Sequence, residues 1–236
     1  MARLVERALD EGTVTRTRQG WRSTWHAGGG AMLTVHVRRR EVACVLPWLQ
    51  VEAPLQLANP VVALDPDCPH CSVVCAWVPG HYPLAFQAPN VGDWLDTTPP
   101  QFLEVGLAAV GDREVSVHPS EEAFRAYQTA HLGDARFAPE SFISSGLFDE
   151  GGESPSPRAE GLLAGVVEAA ELRRNLAGTD FVWARLRTFG TTVEACLDRE
   201  DLADVPSRGD VVLGFFWLVG PVLTAPPSRN WLDRLR

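Results

Sequence analysis

Four short segments with the character of β-strands follow one another within the first 46 residues. They span Thr13–Gln19, Trp21–His26, Ala31–Val37 and Glu41–Leu46. In the third segment Leu33, Val35 and Val37 occupy every second position, which is the period of a half-buried strand. Gly28–Gly30 supplies a backbone that can turn tightly between the second and third segments. The pattern predicts an antiparallel meander in which consecutive strands pair.

Extended, proline-punctuated segments continue to about residue 80, and one packing helix is predicted near residues 120–132. Ser120 is a suitable N-cap, and Glu121 places an acid in the first turn, where the helix dipole favours it. Phe124 and Tyr127 fall on one helical face, and Gly133 ends the segment. The sequence therefore predicts a domain of β-strands with one helix packed against them.

A second unit is predicted after residues 149–158, which have the composition of a linker. A helix is expected from Ser156 to about Asn175, because its apolar residues recur at helical spacing. Three strands should follow at Phe181–Thr188, Thr191–Leu197 and Val211–Val219. One helix and three strands are enough for a small barrel-like unit.

The predicted fold class is therefore α+β and β-rich. It has an N-terminal antiparallel-sheet domain at residues 1–148, a linker at 149–158, a small C-terminal helix-and-strands unit at 159–225, and a tail at 226–236. The longest apolar run, Val211–Val219, is far shorter than the roughly 20 residues that cross a bilayer, so no membrane segment is expected.

The chain contains no lysine, and all 21 of its basic residues are arginines. Schiff-base chemistry on a lysine, a P-loop nucleotide hydrolase and a protein kinase are thereby excluded. The sequence also lacks the serine-hydrolase elbow, the zinc-protease helix motif, the dinucleotide-binding glycine motif and the EF-hand loop. The sequence thus gives no catalytic signature and does not indicate an enzyme.

Charge is distributed unevenly along the chain, whose formal net charge is −9. Residues 1–40 carry eight arginines and three acids, a net of +5, whereas residues 41–236 carry 13 arginines and 27 acids, a net of −14. The acidic body repels phosphate backbones, so nucleic-acid binding is not expected. A basic protein partner is expected instead. Arg38–Arg40 is interpreted as the tip of a hairpin, with a local anion site as the alternative.

Cys68, Cys71, Cys75 and His81 form the one local motif that could carry chemistry. Four ligands of these types within 14 residues could hold zinc. The Cys68-Pro-His-Cys71 core could instead act as a redox dithiol, which requires a thiolate at a helix N-terminus. Strand-like flanks and the break at Pro79-Gly80 favour a third interpretation, in which these are buried structural cysteines and no cofactor is present.

Aromatic residues are concentrated in the C-terminal unit, and an oligonucleotide-binding barrel whose bases stack on rings is a further alternative. The residues concerned are Phe181, Trp183, Phe189, Phe215, Phe216 and Trp217. The basic groove that such a barrel needs is missing from the sequence around them, where acids outnumber arginines.

The leading hypothesis is a cytoplasmic interaction or regulatory protein of bacterial type that binds another protein through its surface. Eight tryptophans with only two tyrosines suit an interface that is anchored by large rings. Five cysteines, an odd number, indicate reduced thiols rather than a disulfide framework, as in the cytoplasm.

Overall fold

The structure is a computed structural model that describes residues 2–17, 20–63, 72–94, 99–132, 136–144 and 157–224. Its described part is β-rich and contains two α-helices, α1 (Ala2–Glu11) and α2 (Glu121–His131). This confirms the predicted α+β, β-rich class. No helix in these ranges is both long enough and apolar enough to cross a membrane.

The first four strands form an antiparallel sheet in sequence order, as the alternating pattern predicts. They are β1 (Thr13–Thr17), β2 (Gly20–Gly28), β3 (Ala31–Arg38) and β4 (Glu41–Leu49). Helix α1 covers one face of this sheet, with Ala8 fully buried against Trp25, Leu33 and Val35. The Ser23 hydroxyl donates a 2.5 Å hydrogen bond to the Ala8 carbonyl oxygen, which fixes the helix on the sheet.

Ten further strands form a second sheet. They are β5 (Leu55–Ala63), β6 (Val73–Trp77), β7 (Pro83–Gln87), β8 (Phe102–Val105), β9 (Ala108–His118), β10 (Ser141–Ser144), β11 (Glu160–Arg174), β12 (Asp180–Thr188), β13 (Thr191–Asp198) and β14 (Val211–Val219). Their order is β10-β11-β12-β13-β9-β14-β7-β6-β5-β8, and β11 also pairs with β14. That extra pairing closes β11, β12, β13, β9 and β14 into a five-stranded barrel.

The barrel encloses the largest apolar core and joins strands that are distant in sequence. β9 pairs in parallel with β13 and antiparallel with β14, so a strand that precedes residues 149–158 completes a barrel of strands that follow them. Phe216, Leu163, Val182 and Leu197 are buried inside. Most of residues 149–158 lie outside the described ranges.

Helix α2 confirms the helix that was predicted near residues 120–132. The Ser120 hydroxyl accepts a hydrogen bond from the Ala123 backbone NH, as an N-cap does. Phe124 is fully buried against Val211 and Leu213 of β14, and Gln128 exchanges two hydrogen bonds with the Phe137 backbone. The helix therefore packs on the outside of the barrel.

The helix predicted from Ser156 to about Asn175 is wrong, because residues Glu160–Arg174 form strand β11. Its first half pairs with β14 and its second half with β12, with a register shift between Val167 and Ala169. The strand is apolar on both faces where it is buried, so its sequence also matches the spacing of a helix. Pairing with two strands outweighs the helix propensity of its leucines and alanines.

Candidate binding cleft

A cleft of about 280 Å³ opens where the N-terminal sheet meets the barrel. The sheet contributes Met32 from β3 and Trp48 from β4, and the barrel contributes Phe181, Cys196 and Trp217 from β12, β13 and β14. Most of this lining is apolar or aromatic. The volume lies just below the range of pockets that hold drug-sized ligands and suits one or two protein side chains.

Two half-buried tryptophans, Trp48 and Trp217, line the cleft. The Trp48 indole Nε1 donates a 3.0 Å hydrogen bond to the Thr34 hydroxyl oxygen on the neighbouring strand, which orients its ring. Both rings pack against one small apolar cluster around Leu46 and Val219. Because that cluster joins β4 to β14, the two rings are held by the contact between the sheet and the barrel.

Carboxylates stand at the polar side of the cleft. Asp198 is exposed and accepts a 2.9 Å hydrogen bond from the Glu200 backbone NH. Asp180 is partly exposed and forms an ion pair with Arg174, with 2.7 Å between the Arg174 Nε and the Asp180 Oδ1. An ion pair this exposed is weak, so another cation can replace Arg174 beside the Asp180 carboxylate. The cleft thus combines aromatic walls with negative charge.

Cys196 also lines the cleft, and its thiol is held in the neutral form. Burial and, to a lesser extent, the nearby carboxylate of Asp198 raise the pKa of this thiol to about 11. A raised thiol pKa means less thiolate at neutral pH, and the thiolate is the nucleophile. Cys196 is therefore an apolar lining residue at physiological pH.

The alkylation rate of Cys196 tests whether its thiol is neutral. At pH 8 we expect Cys196 in the folded protein to react with iodoacetamide about a hundredfold more slowly than the same residue in urea, because a pKa of about 11 leaves little thiolate. The rate should rise until the pH approaches 11. Peptide mass spectrometry measures the modified fraction, and equal rates in folded and unfolded protein would contradict this assignment.

Next to the cleft, a buried carboxylate ties the N-terminal sheet to the barrel. Glu194 on β13 is only 3% exposed, and its Oε1 accepts hydrogen bonds from the backbone NH groups of Glu52 (2.7 Å) and Ala53 (3.2 Å). Its Oε2 accepts a 2.7 Å bond from the Trp183 indole NH. Arg185 lies 3.9 Å away. These hydrogen bonds satisfy both oxygens of the carboxylate. They attach the segment that follows β4 to strand β13 of the barrel.

Only two of the four predicted zinc ligands lie in the described ranges. Cys75 is half-buried on β6, where burial raises the pKa of its thiol. His81 lies in the next turn, with its ring edge-to-face against Phe189 at 5.4 Å between centroids. Cys68 and Cys71 are outside those ranges. No group of three possible ligands capable of holding a metal occurs among the described residues, and the zinc and dithiol hypotheses stay predictions.

The six aromatic residues singled out for base stacking do not share one exposed face. Phe181, Trp183 and Phe216 are buried, whereas Phe189 is 52% exposed at the turn after β12. The guanidinium carbon of Arg173 lies 4.3 Å from the centroid of the Trp183 ring and covers it. Trp217 lines the cleft instead, where its partner is Trp48 from the other sheet.

A serine and a histidine also meet on β9. The Ser116 hydroxyl lies 3.0 Å from the His118 Nε2, but the histidine ring is buried against Phe124 and Tyr127 of α2. Burial lowers the pKa of His118. The pair lies beneath the helix, so we interpret it as a packing contact.

No protein-family model, curated protein or solved structure matches the chain. The cleft must therefore be interpreted from its own chemistry. Sequence reasoning missed it, because Met32, Trp48, Phe181 and Trp217 lie on four strands spread over most of the chain. The signals were the surplus of tryptophans and the aromatic-rich C-terminal unit with Phe181 and Trp217, and neither linked those residues to Met32 and Trp48.

Proposed function

We propose that this is an interaction protein that binds an arginine-bearing segment of a partner protein in the cleft. The observation that carries the proposal is the pair of half-buried tryptophans, Trp48 and Trp217, beside the carboxylates of Asp180 and Asp198. A guanidinium is flat and can lie on an indole ring, while its donors match a carboxylate. The apolar stem of an arginine suits the rest of the lining.

The chain itself uses this contact repeatedly. Guanidinium carbons lie 4.3 Å from the Trp183 centroid (Arg173) and 4.7 Å from the Trp25 centroid (Arg7). Such contacts contribute about 0.5–2 kcal/mol each, more when water is excluded. A partner's arginine in the cleft would make a similar contact with Trp48 or Trp217. Lysine fits less well, because its compact ammonium is more strongly hydrated and cannot form a bidentate pair.

The charge of the body supports the same partner. The net −14 of residues 41–236 attracts a basic segment and raises its rate of encounter, whereas it repels nucleic acid. The effect should weaken as salt rises, because the Debye length falls from about 10 Å at 0.1 M to about 3 Å at 1 M. We place this activity in the cytoplasm, since Cys75 and Cys196 form no disulfide in the described part of the chain.

A peptide titration tests the proposal. The probe is acetyl-Gly-Arg-Arg-Gly-amide, and isothermal titration calorimetry at 50 mM salt measures its Kd. We expect Trp48→Leu or Trp217→Leu to weaken binding about tenfold, which corresponds to about 1.4 kcal/mol for the lost stacking. Combining Asp198→Asn with either tryptophan substitution should weaken peptide binding further.

Matched controls separate the cleft from general charge and from exposed rings. Trp77→Ala removes a tryptophan that is 48% exposed on β6 and does not line the cleft. Glu121→Gln removes an exposed acid from α2, on the outside of the barrel, whose ion-pair partner is Arg125. Both should leave the Kd unchanged, and a citrulline version of the probe should not bind. Equal affinity in all variants would show that the cleft is not the site.

A further inference from the structure

We propose that the cleft takes the arginine-rich hairpin tip between β3 and β4 of a second copy of this chain. The tip consists of Arg38, Arg39 and Arg40. This inference rests on the proposed function, because it names the partner of the same cleft. It adds that the chain carries both the basic segment and its receptor.

All three tip arginines are exposed. No salt bridge involves any of them within the described ranges, whereas Arg113, Arg173, Arg174, Arg185 and Arg187 of the acidic body all pair with carboxylates. Arg16 lies at the same end of the sheet, because it is opposite Trp21, which is in turn opposite Val37 next to the tip. Positive charge is therefore concentrated at this end and available to a partner.

The backbone conformation of the tip is one that arginine does not favour. Arg39 and Arg40 have φ angles of 53° and 71°, the left-handed region that side chains with a β-carbon disfavour. A two-residue hairpin turn of this kind prefers Asn-Gly or Gly-Gly. Because the fold alone would favour those residues, the turn does not itself account for the arginines. Strain of this kind is typical of functional sites.

The tip cannot reach the cleft of its own chain. Ala31, at the start of β3, lines the cleft, and Arg38 ends the same strand seven residues later. At about 3.3 Å per residue the tip lies roughly 23 Å from that end of the strand. β3 is hydrogen-bonded to β2 on one side and β4 on the other, so it cannot fold back. Contact between tip and cleft is therefore contact between copies, in a head-to-tail arrangement.

The chemistry of the two surfaces is complementary. The tip presents three successive guanidinium groups, and the cleft presents two indole rings with the carboxylates of Asp180 and Asp198. One arginine can stack on Trp48 or Trp217 while its neighbour pairs with Asp198, which carries no ion pair among the described residues. A polyanion such as nucleic acid would fit the tip but would be repelled by the acidic body.

Sedimentation velocity on three forms of the full chain tests the inference. The tip variant is Arg39→Asn with Arg40→Gly, and the cleft variant is Trp48→Leu. At 50 mM salt and 200 µM protein, the unaltered chain should form species larger than a monomer, and these should dissociate at 500 mM salt. Each variant alone should sediment as a monomer. An equimolar mixture should give a heterodimer and nothing larger, because only one intact tip and one intact cleft remain.

The control variant, Arg3→Asn with Arg208→Asn, removes two exposed arginines elsewhere and should associate like the unaltered chain. Thermal unfolding should show the tip variant to be at least as stable as the unaltered chain, so that loss of association does not come from misfolding. A chain that stays monomeric at both salt concentrations while the arginine peptide still binds would overturn this inference and leave the proposed function intact. Failure of the peptide to bind would remove both, and nucleic-acid binding lost with the tip variant would assign the tip to that partner instead.

Discussion

Replacing Glu194 with alanine is expected to lower the free energy of unfolding by about 3–5 kcal/mol. Among the described residues, Glu194 is the only acceptor of three donors, the backbone NH groups of Glu52 and Ala53 and the indole NH of Trp183, and the substitution removes it. The buried indole NH of Trp183 costs about 1–3 kcal/mol when it is left without a partner, and the part-buried backbone NH groups add less because water can replace their acceptor. Urea denaturation followed by tryptophan fluorescence measures the change.

Two milder substitutions serve as controls for the loss of stability in Glu194→Ala. Glu194→Gln keeps the shape and one acceptor but turns an amide NH₂ toward the donors, so we expect a smaller loss than for Glu194→Ala. Glu52→Gln alters a carboxylate that is 59% exposed and pairs with Arg185, which should change stability by less than about 1 kcal/mol. If Glu194→Ala costs no more than Glu52→Gln, the buried carboxylate does not hold the sheet on the barrel.

Phe216→Ala should destabilise the chain by about 3–5 kcal/mol, because it leaves a cavity at the centre of the barrel. Phe216 is fully buried and belongs to the main apolar core together with Leu163 and Leu197. Little nearby can move in to close the gap. Thermal or urea unfolding gives the difference in stability.

The neighbouring residue offers a matched control. Phe215 is partly exposed on the opposite face of β14, where the Arg113 guanidinium lies 5.4 Å from its ring centroid. Phe215→Ala should cost less than about 1.5 kcal/mol, since a half-exposed ring loses less contact area. Equal losses at the two positions would contradict the closed barrel, because only its interior distinguishes them.

Local signals explain which elements could be predicted from the sequence. The four N-terminal strands follow from alternation and short turns, and α2 follows from the Ser120 cap with Glu121 and Phe124 behind it. Helix α1 was missed because it has no acid in its first turn and no basic residue in its last. Strand β11 was mistaken for a helix because its partners, β12 and β14, come later in the chain.

The cleft shows the same limit more strongly. Trp48 and Trp217 are brought together only when β4 packs on β14, and although the sequence placed Trp217 in an aromatic-rich unit, nothing in it linked that residue to Trp48. The cysteine motif at residues 68–81 was conspicuous because its members are close in sequence. The spacing of residues in a sequence reveals sites whose residues all lie in one segment. This cleft instead depends on contact between two sheets.

The most direct test follows the indole NH resonances of uniformly ¹⁵N-labelled protein as the arginine peptide is added. The described tryptophans report on different places: Trp25 is held by Glu11 beneath helix α1, and Trp77 lies on β6 and does not line the cleft. We predict that the resonances of Trp48 and Trp217 shift in a saturable way and return at 500 mM salt, while those of Trp25 and Trp77 stay in place. Unchanged Trp48 and Trp217 resonances at saturating peptide, or shifts confined to Trp77, would contradict the account.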